Sequence, residues 1–306
     1  MARRPTLTSG LEALVRAIED GGPFDAPRAK ALLSEAELRE DDLAPWADFD
    51  HPEGDSYGRK LVHDGGWFEL MVMSWRDGSM SAIHDHGQAQ GGAVRLFGDA
   101  EQATFRWRGA VLGTCSRSRV PAGTVVPVVH TLVHQMGNVG QPPFLTLHLY
   151  GCEGCTSGVT RGARVFDLDE GAVERTDGGV FFSLPDAAVT SREHGLSGDF
   201  PTTLRHNLEM LARLTRMARG ARLPSALAAR QARLARWLFD DRTAAWAAAE
   251  LAGDHDDVDP TCARYQRSFE QEAQAAERIL GWLREEGAID GGRPPSFSSL
   301  SAGAPA

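Results

Sequence analysis

Between residues 56 and 183 the chain is a succession of short segments rich in β-branched and aromatic residues. They are Lys60-Leu-Val, Trp67-Phe-Glu-Leu-Met-Val-Met, Gly92-Ala-Val-Arg-Leu-Phe, Ala103-Thr-Phe-Arg-Trp, Thr124-Val-Val-Pro-Val-Val, Phe144-Leu-Thr-Leu-His-Leu-Tyr and Val180-Phe-Phe. Turn signals such as Asp64-Gly-Gly, Asp77-Gly and Pro121-Ala-Gly separate them. Many short strands at such intervals predict an antiparallel sandwich or barrel.

The flanks have a different period. Leu11, Leu14, Val15 and Ile18 repeat at helical spacing behind a cap at Thr8 or Ser9. Ala31, Leu32, Leu33 and Leu38 predict a second helix, and Pro23, Pro27 and Pro45 interrupt the pattern. After about residue 200, Leu204, Leu208, Leu211 and Leu214 fall on one helical face, and an alanine-rich stretch follows over 225–252. Tyr265, Phe269, Ala273, Ala276, Leu280 and Leu283 form a further stripe, read like the first as a packing face. The expected division is a helical segment over 1–50, a β domain over 51–190, a helical extension over 200–288 and a disordered tail over 289–306.

Composition narrows the partners. A net charge of -10 argues against nucleic acid or an anionic membrane, and no apolar run is long enough to span a bilayer. The expectation is a small-molecule ligand and a monomer or small homo-oligomer. Two arginines near the start have no apolar stretch behind them, so no secretory signal is read and a cytoplasmic setting is expected. Four cysteines in a chain of 306 residues are no disulfide scaffold. Cys152-Glu-Gly-Cys155 lacks a second pair for zinc, so both are expected as ordinary thiols. The run from Asp254 to Asp259 lacks a calcium-loop glycine and is expected to be a solvated loop.

The chemistry concentrates in Gly78-Ser-Met-Ser-Ala-Ile-His84-Asp-His86. On a strand, His84 and His86 would point to one face and could grip one metal. The segment resembles the first cupin motif, with Gly98 closing it and Gly91 where many cupins carry a glutamate ligand. His134-Gln-Met-Gly-Asn138 has the closing spacing of the second motif, at a longer distance from Pro121-Ala-Gly123 than is general. That longer gap is a feature of cysteine dioxygenases.

Four segments in order then resemble the cysteine dioxygenase family: Tyr57-Gly-Arg59-Lys-Leu-Val; Phe68 to Trp75 with Ser81 to His86; His134 to Asn138; and Thr146-Leu-His148-Leu-Tyr150. The resemblance implies a mainly β fold, a small cupin barrel of jelly-roll type with N-terminal helices and a C-terminal helical extension. It implies iron(II) held by His84, His86 and His134, with a small thiol and O2 as substrates. Three neutral imidazoles leave the metal its full double charge, which favours an anionic thiolate. Arg59 is implied as the carboxylate-binding fork, with Tyr57 a weaker substrate-side candidate. His148 and Tyr150 are implied as a relay, with Thr146 where the family has serine. Animal members link a cysteine to the active-site tyrosine, and Gly91 is read at that position, so Tyr150 is expected unmodified.

The favoured reaction is oxidation of L-cysteine to its sulfinic acid. One rival changes the thiol, for example to a mercaptocarboxylic acid. Arg59 speaks against that, because relatives acting on 3-mercaptopropionate tend to carry glutamine there. A second rival is a non-catalytic metal-binding cupin used as a sensor or interaction module.

Overall fold

The computed structural model describes residues 5–243 and 276–289 of the chain. Tyr265, Phe269, Ala273, Cys262, the acidic run at 254–259, the later part of the alanine-rich stretch and the tail from 290 lie outside the described residues. The described chain is mainly β, with helices before and after the strands. It divides into two compact units, the first built from Met1–Gln102, Arg119–Phe166 and Val173–Arg192.

In the first unit, helix α1 (Ser9–Gly21) is capped by Thr8, whose hydroxyl accepts from the Leu11 amide, and α2 (Ala26–Glu35) by Asp25, which accepts from the Arg28 amide. Five antiparallel strands lie in the spatial order β1 (Gly58–Asp64), β2 (Phe68–Trp75), β8 (Phe144–Gly151), β3 (Gly91–Leu96) and β6 (Val125–Val129). Strands β1, β2 and β8 are joined in register by Arg59↔Met73 and by Glu69↔Tyr150, Met71↔His148 and Met73↔Thr146.

Alternation along these strands sorts the side chains onto two faces. Phe68, Leu70 and Val72 of β2 and Leu145, Leu147 and Leu149 of β8 pack in one core cluster with Leu11, Leu14, Ile18, Leu32 and Leu33 of the helices. The residues between them, Glu69, Met71, Met73, Thr146, His148 and Tyr150, therefore share the opposite face. Both faces are buried, so the two strands lack the polar-out alternation of a half-exposed sheet. Arg95 of β3 ties the sheet to the helices by donating to the carbonyls of Leu33, Ala36 and Leu38 at 3.0, 2.6 and 3.2 Å, which caps the end of α2.

The second unit comprises Ala103–Ser118, Asp167–Ala172 and Glu193–Ala306. Its strand segments come from β4 (Ala100–Arg108), β5 (Val111–Val120) and β12 (Ser197–Gly198), the last parallel to β5. Helix α3 (Phe200–Gly220) starts at Asp199, whose carboxylate accepts from the Thr202 amide, and the expected stripe Leu204, Leu208, Leu211 and Leu214 is buried. Helix α4 (Ser225–Trp237) is held by ion pairs from Arg230 to Asp167 and Asp169 and from Arg233 to Asp169 and Glu170. No helix among the described residues is long and apolar enough to cross a membrane.

Candidate metal centre

The site lies wholly within the first unit, on the inner face of the five-stranded sheet. His84 and His86 do not sit on a regular strand, contrary to the expectation from their spacing. The stretch Met80–His86 is tied by isolated bridges to changing partners: Met80 to Gly137, and His84 to both His134 and Val165. His84 and His134 exchange both backbone hydrogen bonds at 2.9 Å, so the fold pins two of the candidate histidines directly opposite one another. His134 itself is on β7 (Val133–Gly137).

The three imidazoles converge, with one nitrogen of each within 4.8 Å of the others, and all three are buried. No carboxylate belongs to the cluster. His84 Nδ1–H donates to the Ala82 carbonyl at 2.8 Å, which fixes the tautomer and leaves Nε2 for a metal. Nδ1 of His134 and a ring nitrogen of His86 are buried without a hydrogen-bond partner among the described residues. Each neutral imidazole has one acceptor nitrogen, which is costly to bury unless something binds it. A cation bound to one nitrogen of each ring would take up that acceptor, so the residues present fit a bound metal.

Electrostatics keep the imidazoles neutral, the state a metal requires. Burial pulls His84 down to about 4, opposed in part by the Ala82 carbonyl and Asp85. Burial first, then the neighbouring imidazoles, hold His86 and His134 well below the ordinary range. His148 is pulled down to about 3 by burial, then by His84 and the Arg59 charge.

Beside the three histidines runs a buried hydrogen-bonded chain. Trp75 Nε1–H donates to Thr146 Oγ1 at 2.9 Å; Thr146 Oγ1 meets His148 Nε2 at 2.7 Å; and His148 Nδ1 meets Tyr150 Oη at 3.0 Å. An indole can only donate, so Thr146 accepts from Trp75 and keeps its own proton available for His148 Nε2. With that proton given to Nε2, neutral His148 carries its own on Nδ1 and donates to Tyr150, leaving the phenol O–H to donate elsewhere. Tyr150 lies against the ligands, its ring centroid 5.2 Å from that of His86. Burial, then Tyr57, push its pKa well above the ordinary tyrosine value. Trp75, at the end of the neighbouring strand β2, is a member of this chain that the sequence does not single out.

Arg59 is half-buried and its Nη2 donates to Thr160 Oγ1 at 3.4 Å. Arg59 pairs with Met73, which pairs with Thr146, so it lies on the same sheet face as His148 and Tyr150. Tyr57 is buried between Trp75 and Phe181, with ring centroids 4.8 Å away on either side, and burial raises its pKa to about 12. The structure thus brings all seven candidate residues into one region.

Two readings change. A Cβ on Gly91 would lie 2.7 Å from the Ala26 amide nitrogen, so that residue faces α2 and not the site. The glycine facing Tyr150 is Gly92, which pairs with it in register and whose Cβ would sit 2.6 Å from Tyr150 Cδ1. A sulfur for a link to Tyr150 would have to come from residue 92, and glycine there supplies none either. Cys152 and Cys155, expected as separate thiols, are joined in a disulfide just after the relay strand.

The chain spans about half the length of the curated mammalian relatives it matches. It is 28% identical over 105 residues to human cysteine dioxygenase type 1, covering 34% of this chain and 51% of that protein. To the enzyme of the same name from Danio rerio it is 26% identical over 147 residues, covering 46% of this chain and 73% of the relative. Among solved structures, a Klebsiella pneumoniae protein with a double-stranded β-helix domain aligns with a TM-score of 0.31 at 16% identity, over 40% of this chain and 94% of that one. The cupin domain of Schizosaccharomyces pombe Cnp3 aligns with a TM-score of 0.28 at 10% identity, over 32% of this chain and 66% of that one. The antiparallel sheet, with helices packed on one face and the three histidines on the other, is a mainly β arrangement. Residues 7–152 match the family described as cysteine dioxygenase type I.

Proposed function

We propose that this protein is an iron(II)-dependent thiol dioxygenase that oxidises L-cysteine with O2 to cysteine sulfinic acid. The observation that carries the reading is the buried, all-imidazole cluster with the Tyr150 hydroxyl and the Arg59 guanidinium beside it. His84, His86 and His134 would hold the iron, which supplies stabilisation of the thiolate and activation of O2. A carboxylate ligand would cancel part of the metal charge that an anionic thiolate needs; its absence favours a thiol substrate.

The remaining work falls to this chain's own groups. Arg59 binds the substrate carboxylate through its planar fork, which fixes the thiol end toward the histidines. Tyr150 donates its O–H where negative charge redistributes on sulfur or oxygen, and His148 holds the phenol oxygen from behind. Tyr57 lines the substrate side between two aromatic rings. A reducing compartment rich in small thiols suits this substrate, and there the Cys152–Cys155 disulfide would open.

The test is oxygen uptake by iron-loaded protein across a panel of thiols, with the product identified by mass. We expect uptake with L-cysteine and a gain of two oxygens. Alanine at His84, His86 or His134 should remove most iron and all uptake. Turnover of a mercaptocarboxylic acid alone would favour the rival substrate, and iron binding without any turnover would favour a sensor.

A further inference from the structure

Glu69 is buried on the inner face, opposite Tyr150 in the β2/β8 register, and the proposed chemistry does not use it. Its Oε1 accepts from the Val159 amide at 3.2 Å and its Oε2 from the Thr160 hydroxyl at 3.3 Å. The same hydroxyl oxygen receives the Arg59 Nη2–H at 3.4 Å. A carboxylate only accepts and a guanidinium only donates, so the direction of the chain is forced. Thr160 gives its proton to Glu69 and turns a lone pair to Arg59. The hydroxyl thereby takes one of the five N–H donors of Arg59, and no ion pair joins Arg59 to Glu69 among the described residues. The guanidinium keeps most of its fork for a ligand.

The loop that carries Thr160 is fastened to the histidine turn. Asp85, between the two ligands, accepts from the Arg164 amide at 2.7 Å and from its Nε at 2.5 Å. The Gln88 amide donates to the Arg161 carbonyl at 3.2 Å. Gly87 follows His86 with φ of 59°, and a Cβ on it would lie 2.4 Å from the Arg161 carbonyl oxygen. Gly178 leaves the room that Thr160 occupies, since a Cβ there would be 2.7 Å from Thr160 Oγ1. Thr160 is thus held at a set position relative to the histidines, and Arg59 is held by Thr160.

We propose that Thr160, oriented by Glu69, is a positioning residue that aims Arg59 at a substrate carboxylate a fixed distance from the three-histidine cluster, so the site selects short thiols bearing a carboxylate. This rests on the dioxygenase reading and adds the residues that set its selectivity. Thr160→Val keeps shape and removes the hydroxyl; Thr160→Ser keeps the hydroxyl. Glu69→Gln offers Thr160 a donor in place of an acceptor, so the hydroxyl loses its reason to present a lone pair to Arg59.

The experiment uses full-length, iron-loaded protein without O2 and measures binding of L-cysteine and of 2-aminoethanethiol, which lacks a carboxylate, by tryptophan fluorescence. KM and kcat are then measured in air. Thr160→Val and Glu69→Gln should weaken cysteine binding and raise KM by about tenfold, the size of one hydrogen bond to a charged group. The kcat should change far less, 2-aminoethanethiol binding should be unaffected, and Thr160→Ser should restore cysteine binding. Unchanged cysteine affinity in Thr160→Val, or equal weakening for both thiols, overturns the inference while the dioxygenase reading stands. If the unaltered protein neither binds nor oxidises any thiol, that reading fails and takes this inference with it.

Discussion

Replacing Thr146 by valine tests the buried chain at its middle. Thr146 is fully buried, and its hydroxyl is the partner of both the Trp75 indole N–H and His148 Nε2. Valine has nearly the same shape, so packing is kept while two buried polar groups lose their partner at once. Each orphaned group costs about 1–3 kcal/mol, so the variant should be less stable by roughly 2–6 kcal/mol. Thr146→Ser keeps both hydrogen bonds and gives up one buried methyl, which costs about 1 kcal/mol. Urea unfolding of the metal-loaded proteins should therefore show a midpoint falling much further for valine than for serine, with unchanged slope. Turnover should fall with it, because neither nitrogen of His148 is then committed to hold its proton toward Tyr150. A valine variant as stable and active as the serine one would refute the hydrogen-bond chain and leave His148 and Tyr150 as ordinary core residues.

Tyr150→Phe keeps the ring and removes only the hydroxyl, so kcat should drop about ten- to a hundredfold with iron content and KM little changed; loss of iron or a pure KM effect would count against a role in chemistry. Gly92→Ala and Gly91→Ala should each destabilise by about 1–3 kcal/mol through overpacking, but only the first should displace Tyr150 and depress turnover. Equal turnover losses would mean that Gly91 also bears on the site. In the second unit, burial pushes Asp167 up, yet the Arg230 and His206 charges outweigh it and hold its pKa below the ordinary carboxylate value. A depressed folded-state pKa contributes stability above the unfolded value of about 3.9 that is lost as pH falls below it. Arg230→Ala should therefore reduce stability near neutral pH and flatten its dependence between about pH 4 and 2, measured by thermal unfolding; an unchanged acid profile would contradict the pairing.

Much of the site was legible because strand alternation and ligand spacing are local signals. Thr146, His148 and Tyr150 alternate onto one face, as their spacing requires, and the leucines between them reach the helices. Other features depend on partners far along the chain. The His84 segment looks strand-like, but its hydrogen bonds go in turn to Met136, Val180, His134 and Arg164, so no regular strand forms. Gly91 and Gly92 are indistinguishable by residue type, and only the register of β3 on β8 decides which one faces Tyr150. Glu69 and Thr160 are common residues whose pairing spans 91 positions. Spacing alone cannot separate the Cys152–Cys155 disulfide from two thiols.

The bracket formed by Asp85 has a consequence for how the protein is made. Its two bonds to Arg164 reach across 79 residues, and His84 needs His134 opposite it before its own backbone is paired. A growing chain that has released His84 and His86 but not His134 offers a metal only two imidazoles, which bind weakly and are poorly held. Closure of such long loops comes late in folding, since their entropy is lost before any contact repays it. On the proposed reading, the metal would enter after synthesis of the β domain is complete, and a ribosome stalled before residue 134 should carry a nascent chain that takes up none.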